Sequence, residues 1–168
     1  MNNIIQIGID VLRKVSLPVD IQGIKTVGLS RLIKHMRAIL ESSPDGVALA
    51  APQIGKNIRL FVVSPRAYGD KPLNKEHSVF INPVITKRSK EKHNFEEGCL
   101  SVKDVYGQIT RASKITVTAL DEHGTKFTRG GSGLLAEIFQ HEIDHLDGIL
   151  FVDTATKLRK ITPNDAKN

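Results

Sequence analysis

The sequence has a single cysteine, Cys99, among its 168 residues. One cysteine cannot form an intramolecular disulfide, which excludes the disulfide-stabilised scaffolds of small secreted proteins. No apolar run approaches the roughly 20 residues that a membrane-spanning helix requires. The first ten residues also lack the basic and apolar regions of a signal peptide. We therefore expect a soluble, intracellular protein.

Positive charge is in modest excess. The chain has 24 Lys and Arg residues against 18 Asp and Glu residues, which gives a net charge of +6. The basic residues are scattered and are not interleaved with aromatic residues, so binding to a specific nucleic acid is not expected. The 40% hydrophobic content favours a folded protein over a disordered one. No repeat or break in composition divides the chain, and we expect residues 1–168 to form one domain with a flexible tail after about residue 154.

Apolar periodicity predicts a helix at either end of a series of strands. Apolar residues recur at helical spacing over residues 29–40, and a second helix begins near Gly133 and ends before Gly148. Between them, residues 59–63, 79–85 and 114–120 have the character of strands. A turn at residues 121–124 leads into a further strand at 125–128. This order predicts an α+β fold rather than alternating parallel βαβ units.

The second predicted helix contains the sequence H-E-x-x-H at residues 141–145. At about 100° per residue, His141 and His145 share a face and continue the apolar stripe of Leu134 and Ile138. Two buried imidazoles require compensation, which a metal ion would supply, and Glu142 between them is placed to act as a base toward a bound water. The alternative is that both are ordinary hydrogen-bonded histidines.

Two histidines do not complete a tight metal site. No Glu follows His145, and the extended motif with a third downstream His is absent. Cys99, within the segment EGCLS at residues 97–101, is the candidate for a third ligand because a thiolate binds transition metals strongly. The competing interpretation, a nucleophilic Cys paired with a His, remains open at this point.

Three motifs together resemble the peptide deformylase family. They are GVALAAPQ at residues 46–53, EGCLS at 97–101 and QHEIDH at 140–145, and their order and spacing also match the family. The similarity extends from about residue 10 to residue 153. It implies antiparallel strands packed around a central C-terminal helix that carries H-E-x-x-H. It also implies a metallo-amidase of protein biosynthesis, which removes the formyl group co-translationally from N-formylmethionine and releases formate.

The resemblance assigns roles to individual residues. Cys99, His141 and His145 would bind one divalent metal, physiologically Fe²⁺ in many members and Zn²⁺, Ni²⁺ or Co²⁺ in preparations. A metal-bound water would attack the formyl carbonyl, with Glu142 as general acid and base. The Gln53 side chain and the Leu100 backbone N–H would stabilise the oxyanion.

Further residues would surround this centre. By the family pattern, Glu97 and Arg111 form an ion pair that holds the Cys99 loop, and Phe95 lines the pocket for the methionine side chain. The residues expected to contact substrate are Gly46, Val47, Ala48, Phe95 and Gly98.

Three positions depart from the family pattern. Ala48 stands where the family usually has Gly, Lys103 where many members have Pro, and Tyr106 where some have Arg. These differences leave the peptide preference beyond formylmethionine open. The implied partners are N-formylmethionyl peptides and, transiently, the ribosome, with no specific nucleic acid and no membrane. The implied location is the bacterial cytoplasm rather than an organelle.

Two other classes of function compete with this interpretation. One is a non-catalytic, metal-stabilised module that binds chain termini, although neither Glu142 nor Gln53 is needed to hold a structural metal. The other is a general peptide-bond metalloprotease, which Cys99 as third ligand disfavours.

Overall fold

The computed structural model describes residues 4–69 and 79–160. Within these ranges the chain forms two α-helices and eight strands, joined by short 3₁₀ turns. The helices are α1 (Val27–Glu41) and α2 (Leu134–Leu146). The strands are β1 (Ala48–Ala50), β2 (Leu60–Val63), β3 (Val79–Arg88), β4 (Lys92–Cys99), β5 (Val102–Ala112), β6 (Lys114–Leu120), β7 (Lys126–Ser132) and β8 (Thr156–Lys160).

The strands form two antiparallel sheets, which confirms the predicted α+β class. One sheet has five strands in the order β1-β2-β3-β6-β7, and the other has three in the order β4-β5-β8. Strands β4 and β5 form a long hairpin that ends at Cys99. Among the described residues, no helix has both the length and the apolar character needed to cross a membrane.

The five-stranded sheet is covered by a helix on each face, because its side chains alternate between the two faces. Leu60 and Val62 of β2 share a buried cluster with α1, whereas Phe61 and Val63 share one with α2. Phe61 stacks on Phe80 with ring centroids 4.6 Å apart. Helix α2 is therefore held in the middle of the molecule, between the two sheets.

Most elements predicted from periodicity are present. Helix α1 spans the predicted residues 29–40 and begins at a Thr26 cap, whose side chain accepts a hydrogen bond from Leu29 N at 3.4 Å. The predicted strand at 79–85 continues to Arg88. Helix α2 lies between the expected glycines, Gly133 and Gly148.

Three regions contain strands that the sequence did not predict: the short β1, the β4–β5 hairpin and β8. Strands β4 and β5 were not predicted, since β4 is largely polar and exposed and lacks apolar alternation. Residues Thr156–Lys160, within the tail expected to be flexible after about residue 154, form β8, which pairs with β5 from Val105↔Lys160 to Gln108↔Thr156. The flexibility of the tail stays a prediction. All five side chains of β8 are exposed, so backbone pairing creates this strand without an apolar signal. The rest of the tail, residues 161–168, lies outside the described residues.

Candidate active site

Helix α2 places His141, Glu142 and His145 in the interior. Glu142 and His145 are almost completely buried, and His141 is nearly so. Two residues after the helix, Gly148 has φ +76° and approaches the N-terminal segment closely. A Cβ there would lie 2.6 Å from the carbonyl oxygen of Arg13, so only glycine allows this approach.

The β4–β5 hairpin places Cys99 opposite α2. A register shift between Gly98 and Cys99 turns the chain at the end of the hairpin. The ring of Tyr106 covers Gly98 so closely that a Cβ on this glycine would lie 2.7 Å from a ring carbon. Gly98 therefore allows the hairpin to close beside the cysteine.

Cys99, His141 and His145 converge on one point. One ligand atom from each lies within 4.8 Å of the others, and Cys99 Sγ is 3.1 Å from His145 Nε2. Burial alone would raise the pKa of the Cys99 thiol, but the charge of His145 and hydrogen bonds from both histidines hold that pKa well below its usual range. A thiolate and two imidazoles are a characteristic donor set for a transition metal.

Glu97 fixes the orientation of His141. Its Oε2 lies 2.9 Å from His141 Nδ1, which leaves Nε2 of this histidine available to a metal. The same oxygen accepts a hydrogen bond from Arg111 Nη2 at 2.9 Å, and Arg111 Nε bonds the other carboxylate oxygen. The structure thus contains the expected Glu97–Arg111 ion pair. It adds Asp144, whose Oδ2 accepts from Arg111 Nη1 at 2.7 Å.

Gln53 reaches the same centre from the 3₁₀ turn Ala51–Ile54. Its Oε1 accepts a hydrogen bond from Ala50 N at 2.8 Å, which fixes the direction of the amide. Its Nε2 donates to Ser101 Oγ at 3.2 Å and lies 3.6 Å from Cys99 Sγ. The side-chain N–H group of Gln53 is therefore held beside the three metal-ligand candidates.

Glu142 has a buried oxygen, Oε2, with no hydrogen-bonding partner among the described residues. Burial raises the pKa of Glu142 to about 7, against the opposing effect of the two neighbouring histidines. Buried polar atoms in proteins nearly always have partners. A cation held by the three donors, together with water beside it, would supply the missing one, so the residues present fit a metal site.

These groups open onto a cleft of about 520 Å³. The predicted substrate residues Gly46, Val47, Ala48 and Gly98 all line it, as does Leu100. The other lining residues include Gln53, Cys99, Lys103, Tyr106, Glu137, His141 and Glu142.

Phe95 is not among the residues that line this cleft, and its place in the methionine pocket stays a prediction. It packs against an apolar cluster with Leu12, Ile109 and Phe151. Cys99 packs against the same cluster.

Sequence reasoning missed several polar residues of α2. Gln140 is buried and bonds both backbone groups of Ala112 at 3.1 Å, which joins α2 to β5. Glu137 lines the cleft half-buried, and burial raises its pKa to about 7. Helical spacing places these two residues with Asp144 on one polar arc, but their partners lie on the hairpin or in the cleft.

Comparison with known proteins gives one consistent family. The family model described as polypeptide deformylase matches residues 1–161. Peptide deformylase 2 of Clostridium acetobutylicum is 41% identical over 151 residues, which are 90% of this chain and 93% of that protein. The peptide deformylase of Desulfitobacterium hafniense is 42% identical over 154 residues, covering 92% and 94% of the two chains.

Solved structures agree. The crystal structure of peptide deformylase from Thermotoga maritima superposes with a TM-score of 0.79 at 34% identity, covering 91% of this chain and 96% of that one. Arabidopsis thaliana peptide deformylase 1B, solved with an inhibitor, gives a TM-score of 0.81 at 34% identity, with 92% and 82% covered.

Proposed function

Because the chain belongs to the peptide deformylase family, we propose that Cys99, His141 and His145 hold the divalent cation on which its activity depends. The activity follows from membership: the protein is a metal-dependent hydrolase that removes the N-formyl group from nascent peptides. The observation that carries the proposal is the convergence of three donor atoms within 4.8 Å beside an unpartnered carboxylate oxygen of Glu142. A cation bound there supplies Lewis acidity, which polarises the formyl carbonyl and lowers the pKa of water.

Glu142 is the general base and acid of the proposed reaction. Its Oε2 is buried in the cleft and has no other partner among the described residues, so it is available to take a proton from the attacking water. It then delivers a proton to the departing amine nitrogen. This exchange releases formate and leaves a free amino group on the peptide.

Gln53 and Leu100 stabilise the charge that develops on the formyl oxygen. The bond from Ala50 N to Gln53 Oε1 directs Nε2 of this side chain toward Cys99. Leu100 follows Cys99 and lines the cleft, and its backbone N–H is the second donor. Preoriented N–H donors favour the tetrahedral transition state because they need no reorganisation.

The peptide lies along β1. This strand is at the edge of its sheet, so one side of its backbone is open to pair with an extended chain. Ala48 at its start lines the cleft with Gly46, Val47 and Gly98, next to the candidate ligands. Glu97 and Arg111 lie behind the ligands and hold them in position.

The finer features of the proposal are the identity of the metal, contact with the ribosome and the cellular location. The family resemblance favours Fe²⁺ as the physiological ion, and Zn²⁺, Ni²⁺ or Co²⁺ could substitute because thiolate and imidazole suit all four. The net charge of +6 favours transient contact with an anionic surface such as the ribosome, where nascent substrates emerge. We also propose a location in the bacterial cytoplasm, as for bacterial relatives of this chain.

The test is purification without oxygen, followed by metal analysis and formate release from formyl-Met-Ala-Ser. Acetyl-Met-Ala-Ser and an internal amide peptide serve as comparisons. We expect one equivalent of metal and hydrolysis of the formyl peptide alone. Cleavage of the internal amide would indicate a protease, and stoichiometric metal without formate release would indicate a binding module. Iron-loaded protein should lose activity in air, because Fe²⁺ and the thiolate are both oxidisable.

A further inference from the structure

Arg66 lies outside the cleft but is bound to the loop that forms one of its walls. It belongs to the 3₁₀ turn Pro65–Tyr68, which directly follows β2, and it is not among the cleft-lining residues. The turn is capped by Ser64, whose Oγ accepts from both the backbone N and the Nε of Arg66 at 3.3 Å. The cap holds the base of the arginine side chain and directs its terminal nitrogens away from the turn.

The terminal nitrogens of Arg66 donate to four backbone carbonyls of one segment. Nη1 donates to Pro44 O at 2.6 Å. Nη2 lies 3.0 Å from Leu40 O and 2.8 Å from the carbonyl oxygens of both Ser43 and Gly46, so its two N–H groups are shared among three acceptors. These four residues span the end of α1 and the loop that leads into β1. One guanidinium therefore sets the path of the whole connection.

Convergence of these carbonyls requires a cation or several donors at that point. Leu40 O is among the last carbonyls of α1 and also accepts from backbone N–H groups just after the helix, such as Ser43 N at 3.2 Å. Four carbonyl dipoles that point at one place would repel one another without the positive charge between them. Hydrogen bonds from a charged donor are also stronger than neutral ones. Removal of the guanidinium should therefore loosen this loop more than removal of an ordinary surface arginine.

The loop held in this way contacts the site directly. Asp45, Gly46 and Val47 all line the cleft. Gly46 packs so tightly that a Cβ on it would lie 3.1 Å from a side-chain carbon of Leu100, the residue next to Cys99. Displacement of Gly46 would thus change the gap between the loop and the hairpin.

We propose that Arg66 is a positioning residue for substrate binding, which acts by holding residues 43–46 against Leu100. The proposal rests on the proposed contact of Gly46 and Val47 with the peptide. Arg66 does not touch the metal ligands, so it acts on binding of the peptide and not on the chemical step.

The experiment compares Arg66→Gln, Arg66→Lys and a matched control, Arg37→Gln. Arg37 lies on α1 and donates two hydrogen bonds to Glu122, at 3.1 and 3.0 Å. Arg37→Gln therefore also replaces a hydrogen-bonded arginine, but one whose bonds to Glu122 do not involve residues 43–46. Kinetics with formyl-Met-Ala-Ser, bound metal and hydrogen exchange of residues 43–48 are measured for all three variants and for the unaltered protein.

We expect Arg66→Gln to raise KM about tenfold with kcat changed less than about twofold, the signature of lost substrate binding. Metal content should be unchanged, and hydrogen exchange should accelerate in residues 43–48. Arg66→Lys, which keeps the charge but not the fork of donors, should show a smaller rise of about threefold. Arg37→Gln should leave KM and this exchange unchanged.

An unchanged KM in Arg66→Gln, with or without lower thermal stability, would overturn the proposal. If that variant fails to fold, an unchanged KM in Arg66→Lys would do the same. Absence of formate release from the unaltered, metal-loaded protein would instead contradict the proposed function. Hydrogen exchange would then still test the hold of Arg66 on the loop.

Discussion

Nδ1 of His141 lies 2.9 Å from Oε2 of Glu97, a carboxylate that is 1% exposed. Burial alone would raise the pKa of Glu97, but hydrogen bonds from His141 and Arg111 lower it, so the group is ionised and can only accept. His141 must therefore carry its proton on Nδ1. Nε2 is therefore the ring nitrogen that the carboxylate directs toward a metal, and binding of the ion requires this nitrogen to be unprotonated.

This relationship predicts the effect of Glu97→Gln. The amide keeps the shape of the side chain but removes the charge that fixes the protonation of His141. We expect the affinity for metal to fall about 10–100-fold, measured by competition with a chelator. Glu96→Gln, which changes an exposed neighbour paired with Arg159, is the control and should have no effect. Equal metal affinity in both variants would contradict the role of Glu97.

Glu142→Gln should separate metal binding from catalysis. Glu142 lies between two ligands without being needed as one, so we expect the variant to keep one equivalent of metal. Loss of its acid–base function should lower the rate of formate release by about 10²–10⁴-fold. Glu41→Gln, an exposed site at the end of α1, serves as the control. Loss of stoichiometric metal from a folded Glu142→Gln protein would show that the assignment is wrong.

Cys99 should behave as a ligand and not as a nucleophile. Alkylation of this thiol should be slow with metal bound and fast after chelation, because chelation frees the sulfur electron pair. Cys99→Ala should lose tight metal binding, whereas Cys99→Asp should keep weak binding through oxygen. Mass spectrometry gives the decisive readout, because a trapped formyl group on Cys99 would identify a nucleophile. No other cysteine can confuse the labelling.

Gly98→Ala should destabilise the hairpin. The added Cβ would meet the Tyr106 ring at 2.7 Å, and overpacking of this kind typically costs about 1–3 kcal/mol. In the Tyr106→Ala background the ring is absent, so the further change Gly98→Ala should lower the free energy of unfolding much less than it does in the unaltered protein. Urea unfolding measures the free energies. The explanation fails if the two substitutions are simply additive.

The spacing of residues along the sequence predicted those parts of the site that lie on a single helix or strand. His141, Glu142 and His145 follow from helical spacing within α2, and Cys99 was found because the chain has no other thiol. The contacts between elements were not predictable in this way. The polar side chains of Gln140 and Asp144 suggest a solvent-exposed arc of the helix. In the structure, Gln140 bonds Ala112 and Asp144 bonds Arg111, both on β5.

The β4–β5 hairpin is the largest element that apolar periodicity did not predict. Strand β4 has few apolar side chains to alternate, so its pairing was not visible in the sequence. The hairpin is instead defined by backbone pairing with β5, from Lys92↔Ala112 to Cys99↔Val102. Such long-range pairing depends on the whole fold and leaves little trace in a short window of sequence.

The ligand pair Cys99 and His145 is separated by 46 positions along the chain, with β5, β6 and β7 between them. A ribosome therefore releases the thiol long before it releases the helix that completes the site, at about 5–20 residues per second. Metal acquisition must be a late event of biogenesis, coupled to docking of α2 against the hairpin. Until then the growing polypeptide presents a solitary, unprotected sulfur, and an interruption of synthesis before α2 yields a fragment with no means of retaining the ion.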